Sequence, residues 1–149
     1  MNTMGIHSIQ DVASIATAIG VFFAVLQLWY TRNRAITTFE DTLSSEYREI
    51  TGRLPTEAML GEILTADVQK THFHEFYRYF DLSNSQIFLR QSGRISKKTW
   101  TFWADGIETN LARPAFAAAW AEISRRAGND FSELRRLIAE DFKSDPRRW

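Results

Sequence analysis

The residues best suited to chemistry are basic and aromatic side chains that alternate between positions 90 and 126. The candidates for binding a ligand are Arg90, Arg94, Lys97, Lys98 and Arg113. They interleave with Trp100, Phe102 and Trp103, and cations beside aromatic rings can hold phosphates and stack bases. Aromatics at helical spacing also form cores, with Lys and Arg on the solvated face between them. Two interpretations therefore stay open: a site for an anionic nucleotide or oligonucleotide, and a structural basic face.

Residue types for metal binding or catalysis are sparse. His72 and His74 lie close together in sequence, but two residues apart on a helix they point to different faces and do not share an ion. Nothing pairs Asp105 or Glu108 with a nucleophile or a Gly-rich phosphate loop. The chain has no cysteine, which removes thiolate chemistry. We therefore expect no metal, no cofactor and no enzymatic activity.

Asp81 and Asn84 fall within an apolar helical pattern, where buried polar groups need hydrogen-bond partners. Arg90, Arg94 and Arg113 are the basic residues that can pair with them. We predict a buried polar network that fixes the register of the helices, with capture of a ligand as the less favoured alternative.

The element that must position everything else is an uncharged apolar run, Val12 to Tyr30. As a helix it spans about 28 Å, close to the roughly 30 Å hydrocarbon core of a bilayer, which predicts one uncleaved transmembrane helix. Residues 1–11 carry no Lys or Arg, whereas Arg32 and Arg34 follow the run at once. Positive charge marks the cytoplasmic flank, so we expect a single-pass protein of the inner membrane with its N-terminus outside.

One face of this predicted span carries small or polar groups at steps of three and four. Its members are Ser14, Thr17, Gly20, Ala24, Gln27 and Thr31. A Gln amide in hydrocarbon needs a partner, which a single span obtains from another copy of itself or from another protein. The favoured interpretation is helix packing in a homo-oligomer; the alternative is the lining of a pore built from three or more copies.

The remaining chain reads as helices throughout, so we predict an all-α protein. The span should continue into a helical stalk over 31–54, which Pro55 ends, followed by a cytoplasmic helical bundle over 55–149. Sequence signals place a core helix before Gly93, a helix capped by Ser96 and another that begins at Pro114. Asp130 and Glu133 have the spacing of a capping box for a last helix. Trp100, Trp103 and Trp120 should be buried together.

Part of this body resembles a known group of proteins. The pieces that carry the likeness are Phe80-Asp81-Leu82-Ser83-Asn84, Gly93-Arg94-Ile95, Thr99-Trp100 and Arg113-Pro114-Ala115-Phe116. With them, residues 76–120 resemble the helical body of small single-span bacterial proteins that are grouped as a domain of unknown function. The resemblance implies a cytoplasmic helical domain behind one span and carries no activity. In layout the chain is also similar to membrane effectors of prokaryotic antiphage systems.

Composition narrows the function further. The 18 basic and 18 acidic side chains balance to a formal net charge of zero, so no global field attracts nucleic acid. The function we expect is a membrane-anchored homo-oligomeric effector, in its sharpest form a ligand-gated pore controlled by the cytoplasmic body and used in antiviral defence. The alternative is a non-catalytic anchor that displays a protein-interaction or nucleotide-sensing module. The lipid bilayer, other copies and the product of a neighbouring gene are the expected partners.

Overall fold

A computed structural model describes the backbone of residues 3–149 and the side chains of residues 17, 19–32, 34 and 36–149. Over this part of the chain the structure contains helices and no strand, which confirms the all-α prediction. The α-helices in chain order are α1 Thr3–Thr51, α2 Thr56–Leu60, α3 Ala66–Thr71, α4 Phe73–Gln91, α5 Lys97–Leu111, α6 Pro114–Arg126 and α7 Ser132–Ala139. A 3₁₀ turn, Pro146–Arg148, follows them.

The chain divides into two compact units, 1–37 and 38–149. In the first unit, the large apolar side chains between positions 19 and 30 are 44 to 71% exposed. They are Ile19, Val21, Phe22, Phe23, Val25, Leu26, Leu28, Trp29 and Tyr30. Among the described residues, no helix has both the length and the apolar character needed to cross a membrane. The side chains at 12–16 and 18 of the predicted span lie outside the described residues.

The second unit is organised around α4, which packs against α6, α7 and the 3₁₀ turn, while α5 packs against α6. Its centre is a cluster of aromatic rings. Tyr79 lies 5.0 Å from Phe116 and 5.2 Å from Phe80 between ring centroids, each pair edge to face. This arrangement is favourable because the positive edge of one ring meets the negative face of the other. The last turns of α1 contribute Leu43 and Ile50 to the same core.

Several helix boundaries follow the sequence signals. The Ser96 hydroxyl accepts a hydrogen bond from the Thr99 amide at 3.2 Å, which confirms the predicted N-cap of α5. Pro114 opens α6, where its missing N–H leaves no hydrogen bond unmade. Gly93 closes the end of α4 in the left-handed conformation, with φ of 75°. Trp100 and Trp103 are buried, and Trp120 lies half-buried at the edge of the same core.

The predicted stalk is three residues too long, because α1 ends at Thr51 instead of Leu54. Residues 52–54 form a tightened last turn, in which the Arg53 amide donates to the Ile50 carbonyl at 3.1 Å. Gly52 weakens the helix, and Pro55 disfavours helical backbone at the residue before it. Pro55 then precedes α2 rather than directly ending α1.

The predicted capping box at Asp130 and Glu133 is wrong. The helix α7 begins at Ser132, and the residue before it, Phe131, takes a left-handed φ of 62° and provides no side-chain cap. Its ring is buried, 5.5 Å from Tyr77 and 5.8 Å from Trp120 between centroids. Burial of an aromatic ring outweighs the cost of about 1–2 kcal/mol for left-handed backbone, so packing decides this boundary.

Candidate functional site

The first of the predicted ligand-binding residues, Arg90, is 7% exposed and serves the fold. Its Nε donates to Asp145 Oδ1 at 2.8 Å, its Nη2 to Asp145 Oδ2 at 2.5 Å and its Nη1 to the Ile95 carbonyl at 2.9 Å. The Arg90 guanidinium holds the pKa of Asp145 below its ordinary value. With these bonds made, Arg90 anchors the C-terminal turn to α4 rather than offering a charge to a ligand.

The other predicted basic residues do not converge. Arg113 donates to Asn110 Oδ1, and Arg94 lies exposed with its guanidinium 5.8 Å from the Phe39 ring centroid. Lys97 and Lys98 are exposed in the first turn of α5. A cleft of about 280 Å³ beside Lys97 also contains carboxylates, among them those of Asp105, Glu108 and Asp145. The basic and aromatic groove suggested by the sequence is therefore not formed.

The predicted network of Asp81, Asn84 and arginines is also wrong. Asp81 is exposed on α4, on the solvent side of a helix whose other face forms the core. Asn84 instead joins α4 to the start of α7: its amide nitrogen donates to Glu133 Oε2 at 3.0 Å, and its oxygen accepts from the Leu134 amide at 3.0 Å. Partial burial acts to raise the pKa of Glu133, but hydrogen bonds from Ser132 and Asn84 outweigh it and lower that pKa.

The face of small and polar groups predicted for the first unit is exposed wherever its side chains are described. These residues are Thr17, Gly20, Ala24, Gln27 and Thr31, whereas Ser14 lies outside the described side chains. A Cβ placed on Gly20 would meet no atom within 4 Å, so that face has room for the backbone of another helix. After it, Arg34 donates to the Tyr30 hydroxyl at 2.7 Å and lies 4.5 Å from the Tyr30 ring centroid.

A site that the sequence did not predict lies within the second unit, between the end of α1 and helices α4 and α5. It is a cavity of about 260 Å³. Its lining consists of Ser44, Tyr47 and Arg48 from α1, Tyr79 and Gln86 from α4, and Phe102, Trp103, Gly106 and Ile107 from α5. The residue that could have indicated this site from the sequence is Gln86, a polar residue on the buried face of α4. Sequence periodicity alone does not show that three helices leave a space beside it.

Tyr79 connects this cavity to one of the predicted basic residues. Its hydroxyl accepts a hydrogen bond from Asn110 Nδ2 at 2.9 Å, and Asn110 in turn accepts from Arg113. Burial raises the pKa of Tyr79 far above its ordinary value, so the phenol stays protonated and neutral at physiological pH. Tyr79 is thereby a fixed, uncharged part of the cavity wall, and Arg113 is linked to it through the hydrogen bonds of Asn110.

Known proteins offer no guide to these features. Among the described residues, no group of three or more His, Asp or Glu side chains is placed to hold a metal ion. The resemblance of residues 76–120 to single-span bacterial proteins stays a prediction. Compared with known proteins, the chain matches no family model, no curated protein and no solved structure.

Proposed function

We propose that this protein is a membrane-anchored, self-associating effector, with its N-terminal helix in the inner membrane and its helical body in the cytoplasm. The observation that supports this most directly is the exposure of the large apolar side chains from Ile19 to Tyr30. Contiguous exposed apolar surface of this kind is typical of segments that meet lipid or another protein chain. The charge-free composition of Val12 to Tyr30 favours lipid.

The residues at the end of this apolar segment support the proposed orientation. Trp29 and Tyr30 are exposed rings of the kind that settle among lipid headgroups, and Arg34 binds Tyr30 directly. In a bilayer, a guanidinium held against Tyr30 would lie at the level of the anionic lipid headgroups. The body after residue 37 would therefore lie on the cytoplasmic side.

Self-association follows from the side of the helix that suits lipid least. Gln27 is exposed, and its amide in hydrocarbon needs a polar partner, which a second copy of the chain would supply. In a ring of three or more copies, the face from Thr17 to Thr31 would line a central path, whereas Phe22 and Phe23 would meet lipid. We propose that the body gates this path in response to a ligand, and that opening depolarises the cell, as in antiphage effectors.

The test measures membrane association, copy number and ion flux on the same preparations. We expect the protein to stay in the membrane fraction after alkaline extraction, to cross-link as three or more copies in mild detergent, and to depolarise cells when its body is activated. Gln27→Leu should lower cross-linking and flux together. The matched control is Val25→Leu, an apolar exchange on the same helix that should change neither. Extraction into the soluble fraction would overturn the anchor, and a purely monomeric protein would overturn the assembly.

The cavity in the body favours a second candidate, an anchored sensor that forms no pore. In that case a bound ligand alters how the body meets a partner protein, including the product of a neighbouring gene. The two candidates differ in one measurement. Purified protein in liposomes would show no ion flux under any activating condition if it is an anchor only, while copy number and membrane association would remain as above.

A further inference from the structure

We propose that the cavity between α1, α4 and α5 is a binding site for a small planar aromatic ligand that carries one anionic group. All of its lining residues lie in the unit 38–149, so the site does not rest on the membrane proposal. Mononucleotides and aromatic carboxylates share this chemistry, and the test below separates them.

Gln86 is the residue that points to a ligand. It is 4% exposed, and its side-chain amide makes no hydrogen bond with any of the described residues. Among the described residues, Glu75 Oε2 is the side-chain atom that is fully buried and makes no hydrogen bond. The Gln86 amide also makes no hydrogen bond but is not fully buried, so it keeps some access to solvent. The cavity that it lines supplies this access. An unpaired buried amide is costly, and a ligand edge with one donor and one acceptor would satisfy both of its groups.

The walls of the cavity suit a flat ring. Tyr47 and Tyr79 lie 6.3 Å apart between centroids, and Trp103 and Ile107 add apolar surface from α5. Phe102 lies at the edge of the cavity with 76% of its surface exposed, the largest exposed fraction of any described phenylalanine. A ring that enters the cavity would cover Phe102 and convert exposed apolar surface into buried contact.

The charge of the ligand follows from Arg48. It is exposed in the last turn of α1, and no acidic residue is among those that line the cavity. A guanidinium that forms no ion pair with any described carboxylate favours an anion, which it can hold through two parallel hydrogen bonds. The volume of about 260 Å³ admits one flat ring system, so the arm that carries the anionic group, such as a ribose phosphate, would extend out of the cavity to the exposed Arg48.

Calorimetric titration of the full-length protein in detergent tests this site. The probes are the four common nucleoside monophosphates, indole-3-acetate, the corresponding neutral nucleosides and inorganic phosphate. We expect saturable binding of one planar anion, binding about tenfold weaker for its neutral counterpart and none for phosphate. The class that binds, nucleotide or carboxylate, identifies the source of the ligand.

Two variants keep the result interpretable. Gly106→Leu fills the cavity, and since a Cβ on Gly106 meets no atom within 4 Å, we expect loss of binding with no loss of folding. Thr109→Leu, at an exposed position of the same helix outside the lining, is its control and should bind normally. Arg48→Gln should abolish the preference for the anion over its neutral counterpart. Absence of binding by every probe at millimolar concentration would overturn the proposal, and so would binding that survives Gly106→Leu unchanged. Neither outcome depends on whether the protein enters a membrane.

Discussion

In residues 38–149 most of the large apolar side chains are buried in one core, whereas the described ones between residues 19 and 30 are exposed. Phe76, Phe80 and Phe116 are fully buried, but Phe22 and Phe23 are more than half exposed. Residue type is the same in both places. What differs is that the side chains of the second unit lie in a core formed by several helices of that unit, whereas the described ones of the first unit stay exposed.

The two units also differ in how their polar side chains are satisfied. In the second unit Arg90, Asn84 and Asn110 each have a partner within the chain. The described carboxamide in the first unit, Gln27, stands exposed on the helix surface. These three side chains of the second unit are thus satisfied by residues of the same unit, while the first unit presents exposed apolar and amide groups that another molecule can satisfy.

The largest expected effect separates a phenylalanine of the body from one of the N-terminal helix. Phe116→Ala should lower the free energy of unfolding by about 3–5 kcal/mol, because it opens a cavity among Phe76, Tyr79 and Phe80. Phe22→Ala should change it by less than about 0.5 kcal/mol. Urea denaturation in mild detergent, followed by tryptophan fluorescence, measures both. Equal destabilisation by the two variants would break the comparison.

The next effect concerns the ion pair that fastens the C-terminal turn. Asp145→Asn should destabilise the body by about 2 kcal/mol, since it leaves the buried Arg90 without its carboxylate. The fall is smaller than for a fully enclosed pair because Asp145 is partly exposed. The matched control is Lys143→Ala in the same segment. Lys143 Nζ pairs with the exposed Asp141, so its loss should hardly change the free energy of unfolding.

The same pair predicts a pH dependence. The pKa of Asp145 is lowered in the folded protein, so its contribution to stability is complete above the ordinary pKa of an aspartate. It is lost progressively as the pH falls below that value and through the folded pKa. Denaturation midpoints measured from pH 6 down to pH 2 should therefore fall less steeply for Asp145→Asn than for the native chain. Parallel profiles would show that the pair is not maintained in solution.

A smaller effect tests the two polar residues of α4 that the sequence placed together. Asn84→Ala should cost about 1–2 kcal/mol, because the Leu134 amide and Glu133 each lose a hydrogen bond. Asp81→Ala should cost almost nothing, since Asp81 is exposed. Thermal unfolding of the two variants measures both losses of stability. A larger loss for Asp81→Ala would support the network expected from the sequence.

The smallest effect compares two helical glycines with open space beside them. Gly106→Ala should raise the free energy of unfolding by about 0.5–1 kcal/mol, because alanine favours helix. Gly20→Ala should leave the unfolding of the body unchanged and instead alter cross-linking between copies. If Gly20→Ala affected only the body, the two units would not be energetically distinct.

Local signals predicted much of the fold. Ser96, Gly93 and Pro114 act through the backbone of their own turn, so their effects can be read without knowing which elements are neighbours. The run of apolar residues before Arg32 is likewise visible from composition. Where two local signals met, as at Gly52 and Pro55, the boundary shifted by only a few residues.

The sequence by itself determined that this chain is helical, where α4 ends, where α5 and α6 begin, and that its N-terminal run differs in composition from its body. Only the tertiary structure decided that Arg90 serves Asp145, that Asn84 holds α7, that Phe131 replaces a capping box and that a cavity opens beside Gln86. The partners in these cases lie about 50 residues apart or on three different helices. Pairings of that kind depend on how whole helix faces pack, which no local spacing of residue types specifies.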